Sequence, residues 1–169
     1  MDSIQALLAL ERSAAPPPGW VSLSHPGGFA MMHGPIFARF ETGRLLLGFR
    51  CTERHLNETD TCHGGMIATF CDHQGYAVQA ETGFDFVVTP TISLGIEYLE
   101  PVLLGDWVVG EAQLMKRTRR MLFSTFIGRV GGRTAFHSRA IFRLRNEPDS
   151  NGADLMRRIK MAMSDNTQD

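Results

Sequence analysis

Between Asn57 and Val78 the chain reads NETDTCHGGMIATFCDHQGYAV, and this stretch holds the residue types that could do chemistry. His63-Gly64-Gly65 opens a strongly helical run in which Asp72 is the lone carboxylate. The two glycines let the chain turn into a helix with no side chain over its first N–H groups, so a ligand oxygen can reach those donors. Together with the positive end of the helix dipole, they suit a polarised carbonyl or an oxyanion. Asp72 lies nine residues beyond His63, which at roughly 1.5 Å of rise per residue is about 13 Å along the axis. One carbonyl cannot touch both. If both serve one reaction, the simplest solution is a two-fold dimer that sets the helix start of one chain beside Asp72 of the other, making two sites at the interface. Gly65, Ala68, Asp72, Gly75 and Gln79 form a stripe of mostly small residues at helical spacing, open to another backbone or a ligand. Met66, Ile67, Phe70, Ala77 and Val78 are then expected to face a sheet.

The elements that must position these groups follow from periodicity. Ser3 can cap a short helix to about Arg12, and Pro16-Pro17-Pro18-Gly19 ends it; residues 20–33 read as irregular. Pro35 to Glu41 and Arg44 to Thr52 alternate as strands around a Thr42-Gly43 turn. The central helix is expected from about His63 to Glu81, stopped near Gly83. Four more strands follow, over Thr91–Leu99, Trp107–Met115, Met121–Val130 and Arg133–Leu144, the last two joined by Gly131-Gly132. In the first of the four, Ile92, Leu94, Ile96 and Tyr98 share a face expected to be buried. Asn151-Gly152 precedes a short C-terminal helix, roughly Ala153 to Met163. The result is an α+β chain, not a parallel doubly wound sheet.

This order of loop, His-Gly-Gly helix and strands resembles the hotdog fold, a long antiparallel β-sheet wrapped around a central α-helix, and specifically the PaaI-like acyl-CoA thioesterases. The resemblance runs from about Gly34 to Leu144. It is carried by Asn57, His63-Gly64-Gly65 and Asp72 at this spacing, then by PTISLGIEYLEPVLLGD from Pro90 to Asp106. It implies that Asp72 is the general base or nucleophile, that the Gly64 N–H polarises the thioester carbonyl, that Asn57 and His63 shape the oxyanion side, and that Thr91 holds the water. Members usually carry Gly where this chain has Asp60. The expected organisation is a lead-in over 1–33, a hotdog domain over 34–146 and a tail over 147–169. The expected reaction is hydrolysis of an acyl-CoA by a homodimer or dimer of dimers, with coenzyme A as part of the substrate and no metal or redox cofactor. A non-catalytic acyl-CoA-binding module is the alternative, against which Asp72 argues, because a binder gains nothing from a desolvated carboxylate beside a thioester. A hotdog dehydratase fits less well, since no clear His and Asp pair stands at the right places of the helix region.

Composition narrows the field. The 169 residues are 43% apolar, enough for one domain with a sizeable core. A formal net charge of -1 without a long basic tract argues against a general nucleic-acid binder. The first twenty residues have Asp2, no basic segment and too short an apolar run for a signal or membrane helix. Three cysteines, Cys51, Cys62 and Cys71, lack disulfide spacing, so a reducing cytoplasm is the expected compartment. Cys62, His63, Cys71, Asp72 and His73 do not make a metal site, because no pair shares a helical face at ligand spacing. Neither a GxSxG elbow nor a GxxxxGK loop is present. The turn Lys116-Arg117-Thr118-Arg119-Arg120 is the densest basic patch. As a solvated turn it needs no function, but the guanidinium groups of Arg117, Arg119 and Arg120 could clamp the phosphates of coenzyme A, with Gly65 near the thioester. Phe29, Met31, Met32, Phe84 and Phe86 are candidates for an apolar or aryl pocket, though the acyl group itself is not encoded in any motif.

Overall fold

The structure, a computed structural model, describes residues 14–23, 28–82, 87, 89–145, 147, 148, 150, 153, 154 and 157. Period-2 alternation produces a single seven-stranded sheet. Its strands are β1 (Val21–Ser22), β2 (Phe37–Glu41), β3 (Arg44–Arg50), β4 (Thr91–Tyr98), β5 (Trp107–Arg117), β6 (Met121–Val130) and β7 (Arg133–Arg143). Every pairing is antiparallel, in the order β1-β2-β3-β5-β6-β7-β4. The hairpins turn where left-handed backbone is tolerated, at Thr42-Gly43 (φ 50° and 81°) and Gly131-Gly132 (φ 53° and 90°).

Two helical segments lie on one face of the sheet, α2 (Gly64–Asp72) and α3 (Gln74–Thr82), preceded by a short α1 (Phe29–His33). Met66, Ile67, Phe70, Ala77 and Val78 are all buried as expected. Phe70 is the centre of this packing, its ring 4.8 Å from Phe49, 5.3 Å from Phe126 and 6.2 Å from Phe136 between ring centroids. Two glycines make room for those rings. A Cβ on Gly110 would lie 2.0 Å from the Phe126 ring, and one on Gly128 the same distance from Phe136. Each glycine lets an aromatic side chain lie flat across the neighbouring strand, and the rings in turn seat α2. This is the hotdog arrangement, a long antiparallel sheet around a helix.

Four details differ from the sequence reading. Residues 20–33 are not wholly irregular, since they contain β1 and α1. The helix does not run unbroken to Glu81; it breaks at His73, whose N–H reaches Phe70 O at 3.2 Å instead of continuing the i→i−4 ladder. The break turns the second half of the small-residue stripe inward, so Gly75 packs against Phe142 and Gln79 is buried, while Gly65 and Asp72 stay exposed and Ala68 half-buried. Finally, β4 is the edge of the sheet, so Ile92 and Tyr98 are 56% and 54% exposed and only Leu94 and Ile96 are partly covered. The helix expected over Ser3–Arg12, and Phe84 and Phe86, lie outside the described residues. Of the expected C-terminal helix, Ala153, Asp154 and Arg157 are described and helical.

Candidate active site

The chain reaches the start of α2 through a tight hairpin. Asn57 N–H donates to Thr61 O at 2.8 Å, Asp60 N–H donates to Asn57 O at 3.1 Å, and Asp60 itself takes φ 56°. That is a three-residue loop closed by a left-handed residue, a place where glycine is usual and Asp is among the better substitutes. Asp60 thus supplies the conformation without changing the loop. The Asn57 amide is spent inside the turn, its Oδ1 accepting from Thr59 N (2.9 Å), Thr59 Oγ1 (2.8 Å) and Thr61 N (3.1 Å), its Nδ2 donating to Thr61 Oγ1 (3.0 Å). In the single chain Asn57 shapes the approach and does not point into the site.

Two backbone bonds then pin the helix entry, Cys62 N–H to Val102 O at 2.8 Å and His63 N–H to His55 O at 2.6 Å. His63 is the N-cap: its Nδ1 accepts the Gly65 N–H at 2.8 Å, which puts the proton of the neutral ring on Nε2. The Gly65 donor, expected to serve substrate, is therefore taken. On the other side of the same peptide, Tyr98 Oη donates to Gly64 O at 3.1 Å. The Gly64–Gly65 peptide is held at both ends, and the Gly64 N–H is left as a donor with no acceptor among the described residues. Gly64 lines a cleft of about 570 Å³ together with Thr61, Cys62, Tyr98, Pro101 and Val102, among others. A Cβ on Gly64 would meet Tyr98 Oη at 3.3 Å, so the ring closes one wall and would have to yield to any side chain at this position. Sequence reasoning assigned Tyr98 to a buried strand face and missed this contact.

At the far end of α2, Asp72 is exposed, and Thr91 Oγ1 donates to its Oδ1 at 2.6 Å. That length is typical of a hydroxyl bonded to a carboxylate. The structure thus brings Thr91 and Asp72 together, and leaves Gly64 about 12 Å away, eight residues along the same helix. Beside Asp72, burial holds the His73 imidazole below its ordinary pKa, and its Nδ1 donates to Thr69 O at 2.8 Å. His33 on α1, 5.9 Å from His73 between ring centroids, is likewise lowered, first by burial and then by its neighbour. All three cysteines are buried and unbridged, and burial pushes the Cys71 thiol up to about 12, which removes it as a nucleophile. Among the described residues no group of three His, Cys, Asp or Glu is placed to hold a metal ion.

The basic turn is larger than its sequence suggests. Arg119 and Arg120 share a cavity of about 730 Å³ with Arg143, Arg145 and Glu147. Arg117 ends β5. Arg143 and Arg145 stand on either side of Leu144 at the end of the last strand, an alternation that was visible but not read as part of a cluster. The link from this patch toward Asp72 that the backbone makes is Arg143 N–H donating to Pro90 O at 2.9 Å, Pro90 being the residue before Thr91.

A family model described as the thioesterase superfamily matches residues 59–135. A Pseudomonas aeruginosa protein named as an esterase is 28% identical over 132 residues, 76% of this chain and 96% of its own length. Human acyl-coenzyme A thioesterase 13 is 27% identical over 85 residues, 49% of this chain and 59% of that protein. Among solved structures, the PaaI protein of the E. coli phenylacetic acid degradation operon superposes with a TM-score of 0.58 over 67% of this chain and 81% of that one, at 16% identity, a likeness of fold.

Proposed function

We propose that this chain, whose residues 59–135 match a thioesterase superfamily model, is a thioester hydrolase that hydrolyses an acyl-CoA at a site shared between two copies. In this reading the thioester oxygen accepts the Gly64 N–H at the positive end of α2, where charge develops as the carbonyl becomes tetrahedral. The carboxylate of Asp72 from the second copy either draws the proton from an attacking water or attacks the carbonyl itself, aligned by Thr91. Collapse of the intermediate expels the coenzyme A thiolate, which takes up a proton; on the second route the acyl group is left on Asp72 as an anhydride, and water then hydrolyses it to the free acid and restores the carboxylate. A preformed donor is worth about 10² to 10³ in rate and a positioned base about 10² to 10⁴.

The observation that carries the shared site is that the free Gly64 N–H and the exposed Asp72 carboxylate sit at opposite ends of α2, and that both ends are bonded to β4, through Tyr98 and Thr91. That strand is an eight-residue edge of the sheet, paired on one side with β7 and on the other with no strand among the described residues. Such an edge is a template for another strand. Antiparallel pairing of β4 with its copy across a two-fold axis reverses the second helix and lays its Asp72 beside the first Gly64. The arginines near Pro90, Arg119, Arg120, Arg143 and Arg145 with Arg117, are then suited to the phosphates of the nucleotide. The organisation 1–33, 34–146 and 147–169 places all of these groups in the middle segment.

Mixing chains tests the shared site. Asp72→Asn chains combined with Gly64→Pro chains, each inactive alone, should regain about a quarter of parental activity, because half of randomly formed dimers are mixed and each mixed dimer has one complete site of two. Folded, verified heterodimers with no activity would put the site within one chain.

A further inference from the structure

The helix break at His73 leaves two carbonyls of the last turn of α2 without their usual ladder donors; side chains reach both, and the His73 N–H also turns toward Cys71 O. His73 Nδ1 donates to Thr69 O, and Gln74 Nε2 donates to Cys71 O at 2.8 Å. Cys71 O belongs to the peptide that joins Cys71 to Asp72. Gln74 is itself fully buried, and the rest of its amide is anchored to the sheet: Nε2 donates to Ser138 Oγ on β7 at 3.1 Å, and Oε1 accepts from Ser124 Oγ on β6 at 2.8 Å. Ser124 and Ser138 are buried too. A glutamine in an otherwise aromatic and aliphatic core costs desolvation that only a complete set of partners offsets. Here the set is complete, and it ends on the backbone of the carboxylate residue.

We propose that Gln74 is the positioning residue for Asp72, tying the Cys71–Asp72 peptide to β6 and β7 while Thr91 holds the carboxylate from β4. The proposal rests on the reading of Asp72 as base or nucleophile. Asp72 is thus held by two handles on opposite sides, one on its backbone from the core and one on its side chain from the sheet edge. Without the first, the exposed end of α2 is free to continue as regular helix or to fray, and either change swings the carboxylate relative to Thr91 and to the carbonyl. A displacement of about 1 Å at a reacting group can cost on the order of 10² in rate.

The test replaces the three side chains of the network at once, Gln74→Met with Ser124→Ala and Ser138→Ala, because exchanging them together for apolar groups strands no buried hydroxyl or amide and leaves Cys71 O the His73 N–H, whereas removing one strands the others. The expected result is a kcat lowered about tenfold with KM for acyl-CoA changed less than about twofold, as for loss of transition-state alignment alone. In an Asp72→Asn background the same triple change should lower the residual rate no further. A folded triple variant with kcat within about twofold of parental overturns the proposal, as does a full tenfold loss that persists when Asp72 is already Asn. If the triple variant does not fold, Ser138→Ala alone should lower kcat about threefold, with recovery in Ser138→Thr; an unchanged kcat overturns the proposal. The two ideas fail separately. Parental activity in Asp72→Asn removes the assignment of Asp72, whereas an inactive Asp72→Asn beside a fully active triple variant removes only the role of Gln74.

Discussion

The two ends of α2 are built in different ways. The start is fixed by neighbours in sequence and by backbone: a five-residue hairpin, two pinned N–H groups and the N-cap from His63, all between Thr52 and Gly65 apart from Val102 and Tyr98. The finish is fixed by side chains from far along the chain: Thr91 is 19 residues from Asp72, Ser124 is 50 from Gln74, and Ser138 is 64 from it. A donor that must not move is made of peptide planes. The carboxylate end is held by an amide from the start of α3 and by hydroxyls from three strands.

This contrast predicts where substitutions act. The largest effect belongs to Asp72→Asn, which keeps shape but removes basicity and charge: kcat should fall by at least about 10² with little change in KM, measured by thiol release from acyl-CoA. At the other end of the helix, Gly65→Ala places a Cβ 2.9 Å from His63 Nδ1 and so expels the cap. Loss of an N-cap costs about 1 kcal/mol, read as a lower melting temperature, and kcat should drop about tenfold because the Gly64 N–H loses its aim. Melting without loss of rate would show that the start of α2 does not need its cap for catalysis. Thr91→Val removes one hydroxyl bond at the finish and should lower kcat about fivefold with no change in melting, since the pair is exposed. Neutralising Arg119 and Arg120 together should raise KM for acyl-CoA and leave a short pantetheine thioester nearly unaffected; equal effects on both would remove the phosphate clamp.

The smallest effect is on stability against pH. Both His33 and His73 have pKa values held below the ordinary 6.5, so they are neutral when folded and charge more readily when unfolded. Above pH 6.5 neither state binds the extra proton and nothing is lost; as pH falls below it, the unfolded chain gains protons first and stability declines. Melting temperature should therefore fall between about pH 7 and pH 5, and His33→Leu should flatten part of that slope.

The same contrast explains what the sequence could tell. Strands β6 and β7 were legible almost to the residue because alternation and a Gly-Gly turn are local signals, and both glycines take positive φ. His63 could be placed as the start of the helix region because capping is decided within three residues. The break at His73 was not legible, since the side chains bonded to Gln74 just after it come from β6 and β7, and with it went the inward turn of Gly75 and Gln79. Periodicity showed that Ile92, Leu94, Ile96 and Tyr98 share a face, but not that β4 ends the sheet, which depends on strand order. Arg119 and Arg120 were visible as a run, whereas Arg143 and Arg145 joined them only through the pairing of β6 with β7. Asn57 was legible as a loop residue before the helix, but not that its amide would bond within its own turn to Thr59 and Thr61.

The uncovered β4 edge has a consequence for how this chain behaves on dilution. If each site needs two copies, the active species is the pair, and below its dissociation constant the amount of pair falls with the square of the chain concentration. Specific activity would then decline as the protein is diluted and recover on concentration, with no change in any single chain's fold. A cell could meter thioester hydrolysis through the amount of chain it makes, more steeply than in proportion.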